Sequence, residues 1–286
     1  MPELPEVETL VRGLRDQLVG RSIIGVEIDK PKMWQGLPSS TLTNHAVTNM
    51  TRIAKLMVFS LSDNLSLLIH LKMTGQLIFV AKDGQKILGG HPDNQFAAEQ
   101  PSKYTHITFS FSDGSKLFFN DMRQFGYAKL IHTNDLQQHK HIVTVGIDPF
   151  SSEFTAQFLF AQLQKRPKTT IKQVLMDQTV IGGLGNIYTD ESLFDAKILP
   201  MRAAASITKE EANVLHASII KILETGIQYG GTSYKDYVHH NGQKGTMQDH
   251  LMVCRRHGQA CKVCGHALER TVIGGRGTHF CRTCQK

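Results

Sequence analysis

Residues able to do chemistry gather at the two ends of this chain. All five cysteines follow residue 250, and four of them form two pairs, Cys261-Lys-Val-Cys264 and Cys281-Arg-Thr-Cys284, with sixteen residues between the pairs. A Cys-x-x-Cys pair lets two thiolates converge on one ion, and a second pair across a short hairpin completes a tetrahedral zinc site. Two disulfides in a secreted domain are the competing reading. His257, His266 and His279 are alternative donors nearby, but four thiolates already close a structural site. The expectation is one structural Zn2+ on Cys261, Cys264, Cys281 and Cys284, with no catalytic metal or organic cofactor and no assigned role for Cys254.

The N-terminus reads Met1-Pro2-Glu3-Leu4-Pro5-Glu6-Val7-Glu8. Taken alone this is a helix entry, because proline suits a first helical turn and carboxylates suit the positive end of the helix dipole. Apolar residues at 10, 11, 14 and 18 continue a helical period up to Gly20.

The elements that must position these ends follow along the chain. From Ser22 to about Leu130, short β-rich runs such as Leu65 to Leu71 and Ile107 to Phe111 alternate with turn signals such as Asp113-Gly114, which predicts an antiparallel sandwich. Residues 81 to 103 read as a long flexible loop inside it. Helical patterning returns in Glu153 to Lys165, Thr170 to Asp177, Asn186 to Ala196 and Thr208 to Tyr229, the last with Thr208 as N-cap. A Gly-rich segment from Gly230 to Gly245 precedes the ribbon. The fold class expected is α+β multidomain, divided into a β-sandwich at 1–133, a linker at 134–150, a helical domain at 151–229, a loop at 230–250 and a zinc finger at 251–286.

Composition bounds the partners. The chain carries 32 basic and 25 acidic residues, a net charge of +7, and its pI near 9.1 favours a polyanion such as nucleic acid. No apolar run of about 18 residues is present and no basic-then-apolar leader opens the chain, so neither membrane insertion nor secretion is expected, and a soluble cytoplasmic monomer is.

The ordered set PELPEVET, Gly182-Gly183-Leu184-Gly185-Asn186-Ile187-Tyr188-Thr189-Asp190-Glu191 and the four-cysteine ribbon resembles the formamidopyrimidine-DNA glycosylase family, bacterial enzymes that excise oxidised purines from DNA. PELPEVET is more similar to the purine-excising branch than to the endonuclease VIII branch, whose opening is similar to PEGPE. The resemblance spans essentially the whole chain. It implies a β-sandwich with its leading helix, a helix-two-turn-helix domain with the zinc finger, double-stranded DNA in the cleft between them, and base removal followed by strand cleavage through β,δ-elimination.

The resemblance also implies roles for individual residues. Pro2, freed by removal of Met1, is the nucleophile; an α-amine titrates near ~7.7–8.0, far below a lysine at ~10.4, so a useful fraction is neutral near neutral pH. Its secondary amine gives an iminium that drives elimination. Glu3 is the carboxyl group that protonates the sugar ring oxygen, Glu6 tunes the nucleophile's surroundings, and Lys55, grouped with Pro2 and Glu3 as catalytic, reaches DNA near the lesion. His70 contacts phosphate, with Lys72 expected on the same strand face. Met73, Arg123 and Phe125 fill the hole left by the everted base, although Met122 and Gln124 replace the Pro and Arg common at these positions in the family. Asn186 at a helix start and Arg276 at the ribbon tip grip phosphates, and Tyr188 and Glu191 support them. The loop opening at Gly230 closes over the base. Two other readings remain: the same mechanism with oxidised pyrimidines preferred, and a catalytically silent protein that binds damaged DNA. Arg166 and its basic neighbours, Lys165 and Lys168, suit either a DNA contact or a solvated face.

Overall fold

A computed structural model describes residues 1–90, 99–232 and 245–286. The chain divides into two compact units, one of residues 1–143 and 227–248, the other of residues 144–226 and 249–286.

Among the described residues, helix α1 (Leu4–Leu18) of the first unit precedes ten strands, and the short helix α2 (Lys140–Thr144) follows them. They are β1 (Ile23–Ile28), β2 (Trp34–Gly36), β3 (Val47–Ile53), β4 (Leu56–Leu61), β5 (Leu65–His70), β6 (Gly75–Val80), β7 (Lys86–Gly90), β8 (Thr105–Phe111), β9 (Lys116–Asp121) and β10 (Tyr127–His132). These build two five-stranded sheets, in the orders β1-β8-β9-β6-β7 and β2-β10-β5-β4-β3. Every pairing is antiparallel except β2 with β10. One apolar core joins both sheets to the helix, with Val7, Leu10, Leu14 and Leu18 of α1 among Phe59, Leu67, Phe79, Phe109 and Phe119. Burying side chains of this size stabilises by about 1.5–3 kcal/mol each. The helix lies close enough to β7 that a Cβ on Gly89 would come 2.4 Å from Leu10 Cδ1.

The segment expected as a loop over 81–103 therefore contains strand β7, whose Ile87 and Leu88 are buried. Its Gly89-Gly90 pair, a turn signal in sequence, here serves close packing, and residues 91–98 lie outside the described set.

The second unit contains α3 (Ala156–Gln164), α4 (Ile171–Met176), α5 (Asn186–Asp195), most of α6 (Lys209–Gln228), and a hairpin of β11 (Glu269–Ile273) and β12 (Arg276–Phe280). Side chains set the helix starts. Thr155 Oγ1 accepts from Phe158 N–H at 3.0 Å. Thr208 Oγ1 accepts from Glu211 N–H at 3.2 Å while Glu211 Oε2 accepts from Thr208 N–H at 2.9 Å, a capping box. Between α4 and α5 the chain turns and bends in a segment stitched by Gln178, which donates to Leu184 O at 2.6 Å and accepts from Gly183 N–H at 3.1 Å. Gly183, at φ +95, takes a conformation that side chains disfavour. The mixture of sheet sandwich, helical unit and ribbon is the α+β class expected. Among the described residues no helix is long and apolar enough to cross a membrane.

Candidate active site and nucleic-acid interface

The N-terminal turn of α1 is buried, although Met1 itself is 48% exposed. Pro2 and Glu3 are both inside, and Glu3 is the residue from which the helix departs. Glu6 lies one turn on and holds this entry from two sides. Its Oε2 accepts from Glu3 N–H at 2.8 Å, and its Oε1 accepts from Thr232 N–H at 2.7 Å and from Thr232 Oγ1 at 3.0 Å. One carboxylate thus ties the residue after Pro2 to the base of the Gly-rich segment. Gly231, at φ +78, runs so near that an added Cβ would meet Glu6 Cγ at 2.8 Å. Residues 233–244 of the expected closing loop lie outside the described set.

Lys55 sits in the turn between β3 and β4, right after Ala54 at φ +53, and is buried. A bridge from α1 braces this hairpin: Glu8 Oε2 accepts from Arg52 Nε at 2.7 Å and Glu8 Oε1 from Arg12 Nε at 2.7 Å. Arg15 Nε adds a bond to Met50 O at 2.8 Å.

His70 closes β5 and is buried, which pushes its imidazole down to about 2, with Lys72, His141 and Lys55 adding to the shift. Lys72 does not share its strand face as the alternation predicts. The strand ends at His70, Lys72 takes φ +52, and its N–H donates back to His70 Nδ1 at 3.0 Å. The Lys72 ammonium lies 5.7 Å from the centroid of the Tyr127 ring.

Met73 lies in the turn between β5 and β6, and Arg123 and Phe125 lie in the turn between β9 and β10. Asp121 organises both. Its carboxylate accepts from Thr74 Oγ1, from Arg123 N–H at 3.1 Å and from Gly126 N–H at 2.7 Å. The Arg123 guanidinium stacks over the Phe125 ring at 4.6 Å, and Phe125 is 55% exposed. An apolar ring held in water beside a cation suits a surface that meets stacked bases.

In the second unit Asn186 begins α5 directly after the Gln178-stitched segment. Its Nδ2 donates to Gly277 O at 3.0 Å, and its Oδ1 has no partner among the described residues. Glu191 is buried, and burial pushes its carboxyl up against the opposing pull of three backbone donors. Those donors are Met252, Val253 and Cys254, at 2.8, 3.0 and 2.7 Å. Tyr188 is fully buried at the point where Gly226 leaves room for its ring. Arg276 is exposed at the start of β12, across from Ile273, in a hairpin closed by Gly274 and Gly275 at positive φ.

A buried pair, unassigned in the sequence, completes this arrangement. Lys172 and Asp190 are fully buried and paired at 2.6 Å. Lys172 Nζ also donates to Gly277 O at 3.3 Å, and Asp190 Oδ2 accepts from His279 N–H at 2.9 Å. The strand that carries Arg276 is thereby fixed to α4 and α5.

The four ribbon cysteines are free thiols whose sulfurs lie within 4.8 Å of one another. Cys261 and Cys284 are separated by 3.9 Å, Cys264 and Cys281 by 3.4 Å. A tetrahedral Zn2+ with bonds of ~2.3 Å places its sulfurs ~3.8 Å apart, so the cysteines fit one structural zinc and not two disulfides. A hydrogen bond from His266 N–H lowers Cys264 to about 6, whereas burial and the neighbouring sulfurs push Cys281 and Cys284 up. A dication resolves that crowding.

The family model described as formamidopyrimidine-DNA glycosylase N-terminal domain matches residues 1–128. The H2TH domain of the same family matches 145–238, and the zinc finger found in FPG and IleRS matches 258–286. The formamidopyrimidine-DNA glycosylase of Pelotomaculum thermopropionicum is 39% identical, over 100% of this chain and 99% of its own. That of Halalkalibacterium halodurans is 38% identical, over 100% of both. A solved complex of a Lactococcus lactis FPG variant with a Fapy-dG containing DNA is 34% identical, at a TM-score of 0.88 and with full coverage of both chains. The chain belongs to the formamidopyrimidine-DNA glycosylase family and is a DNA glycosylase with abasic-site lyase activity.

Proposed function

We propose that the enzyme removes 8-oxoguanine and formamidopyrimidines from duplex DNA and cuts the strand at the resulting site. The observation that carries this reading is the buried α1 entry, where Pro2 and Glu3 are both inside and Glu6 holds Glu3 N–H and Thr232. After removal of Met1, the Pro2 nitrogen attacks the sugar C1′, the bond from C1′ to the base breaks, and the base leaves with a proton. Glu3 gives a proton to the ring oxygen as the ring opens. The resulting iminium withdraws electrons from C2′–H. Loss of that proton expels the 3′ phosphate, and a second elimination expels the 5′ phosphate. Lys55, His70, Asn186 and Arg276 hold phosphates, and Met73, Arg123 and Phe125 occupy the space left by the everted nucleotide. The protein acts as a monomer in the bacterial cytoplasm.

Borohydride should trap the enzyme on a duplex containing 8-oxoguanine, and Pro2→Gly should abolish trapping. Undiminished trapping by that variant, or an intact mass showing Met1 retained in active enzyme, would remove Pro2 from the mechanism. A second reading prefers oxidised pyrimidines. It is favoured by the solved complex of wild-type Lactococcus lactis Fpg with DNA containing an oxidised pyrimidine. Competition between the two lesion classes in one cleavage assay separates the readings.

A further inference from the structure

His141 lies outside every motif that carries the family resemblance, on the short helix α2 (Lys140–Thr144). Its position is nonetheless fixed. The next residue, Ile142, packs with Leu136 on an apolar patch of Leu56, Val58, Leu68 and Ile131. The N–H groups of Ile142 and Val143 both bond His139 O, at 2.8 and 3.0 Å. The His141 ring then meets His70 edge-on, with centroids 5.0 Å apart and planes at 87°. Tyr127 also borders His70, at 5.9 Å.

The titratable groups that bear on His141 come from the elements packed around it, and each is a base. Lys72 acts from the turn after β5, Lys55 from the β3–β4 turn and His139 from the start of its own segment, while Lys129 of β10 acts in turn on His139. Burial and these charges hold His141 below the ordinary histidine range. His70 is too deeply buried to charge, whereas His141 is half-buried and open to water. An anion placed here meets a positive field and a neutral imidazole ready to accept a proton.

We infer that His141 is a proton-coupled ligand of the DNA backbone, taking up a proton as a phosphodiester settles against Lys72, His70 and His141. The inference rests on the reading above that this face grips DNA. A phosphate within a few ångströms favours the imidazolium, so the complex holds more protons than the free protein. Affinity is therefore greatest at low pH and weakens as pH rises, by at most about tenfold per pH unit for one proton.

The test uses the full-length protein and a duplex carrying a tetrahydrofuran abasic-site analogue, at constant ionic strength from pH 6 to 8.5. Wild-type Kd should weaken several-fold over this range, and calorimetry in two buffers of unlike ionisation enthalpy should show net proton uptake. His141→Gln should flatten the profile and reduce the uptake, whereas His141→Lys should bind tightly across the range without that share of uptake. Identical profiles and uptake in wild type and His141→Gln would overturn the inference. Absence of duplex binding by wild type at every pH would instead overturn the DNA-gripping reading. Should His141→Gln fail to fold, as judged by Trp34 fluorescence, NMR titration of wild-type His141 decides. Its pKa should rise when the duplex is added, and no rise overturns the inference.

Discussion

Lys172 and Asp190 form an ion pair 2.6 Å long with both side chains wholly removed from water. Charges buried this way gain little net stability as a pair, but removing one partner leaves the other uncompensated, at a cost of about 3–5 kcal/mol. Lys172→Met should therefore destabilise strongly, while the double change Lys172→Met with Asp190→Leu should cost less than Lys172→Met alone. Urea unfolding of the three proteins checks this, and equal losses in the single and double variants would refute it. Because Lys172 also holds Gly277 O, to which Asn186 is bonded, the single variant should weaken DNA binding as well.

The zinc ribbon makes a second prediction. The four sulfurs already lie at tetrahedral spacings, and a structural metal couples to folding because its ligands assemble only in the folded state. The purified chain should contain one zinc. A strong chelator should abolish amide protection across residues 258–286 while strands of the first unit keep theirs. Hydrogen exchange with mass spectrometry reads both, and loss of protection throughout would show that the ribbon is not a separate folding element.

Asp121 bears on the loops that present Met73, Arg123 and Phe125. Asp121→Asn conserves shape but exchanges one acceptor for a donor facing N–H groups at 2.7 and 3.1 Å. Losing one charge-assisted bond of ~1.5–3 kcal/mol should lower kcat/KM on a lesion-containing duplex by about tenfold or more. Borohydride trapping at saturating enzyme should fall much less, since the Pro2 entry is untouched. A wild-type kcat/KM would remove Asp121 from any positioning role.

These residues also mark how far the sequence could be read. Local rules sufficed where one residue type has one physical use: Thr208 as an N-cap, and four cysteines as a metal ribbon. They misled where a residue has two uses. Gly89-Gly90 marks turns by default, yet here it admits Leu10 against β7. The alternation through His70 and Lys72 suggests one strand face, yet the chain turns at positive φ after Leu71 to make the Lys72 bond to His70 Nδ1. Lys172 sits in Ile171–Met176 like any solvated helix lysine. Only tertiary contact with Asp190, eighteen residues on, buries it.

Burial of His70 makes acid stability the last prediction. Its imidazole falls from 6.5 to about 2 in the fold, so below pH 6.5 the unfolded chain binds a proton that the folded chain refuses. Stability must then decline as pH falls from about 6.5, by at most ~1.4 kcal/mol per pH unit. His139 and His141, also lowered by burial, act in the same direction. His70→Gln removes the largest contribution and keeps an acceptor available for Lys72 N–H, so its stability should vary less between pH 6.5 and 4.5. The single tryptophan, Trp34 of β2, lies in the same unit and reports its unfolding separately from the acid-labile ribbon. Denaturation midpoints that fall equally steeply in both proteins would mean that His70 takes up its proton in the fold as readily as in the unfolded chain, against the burial that lowers it.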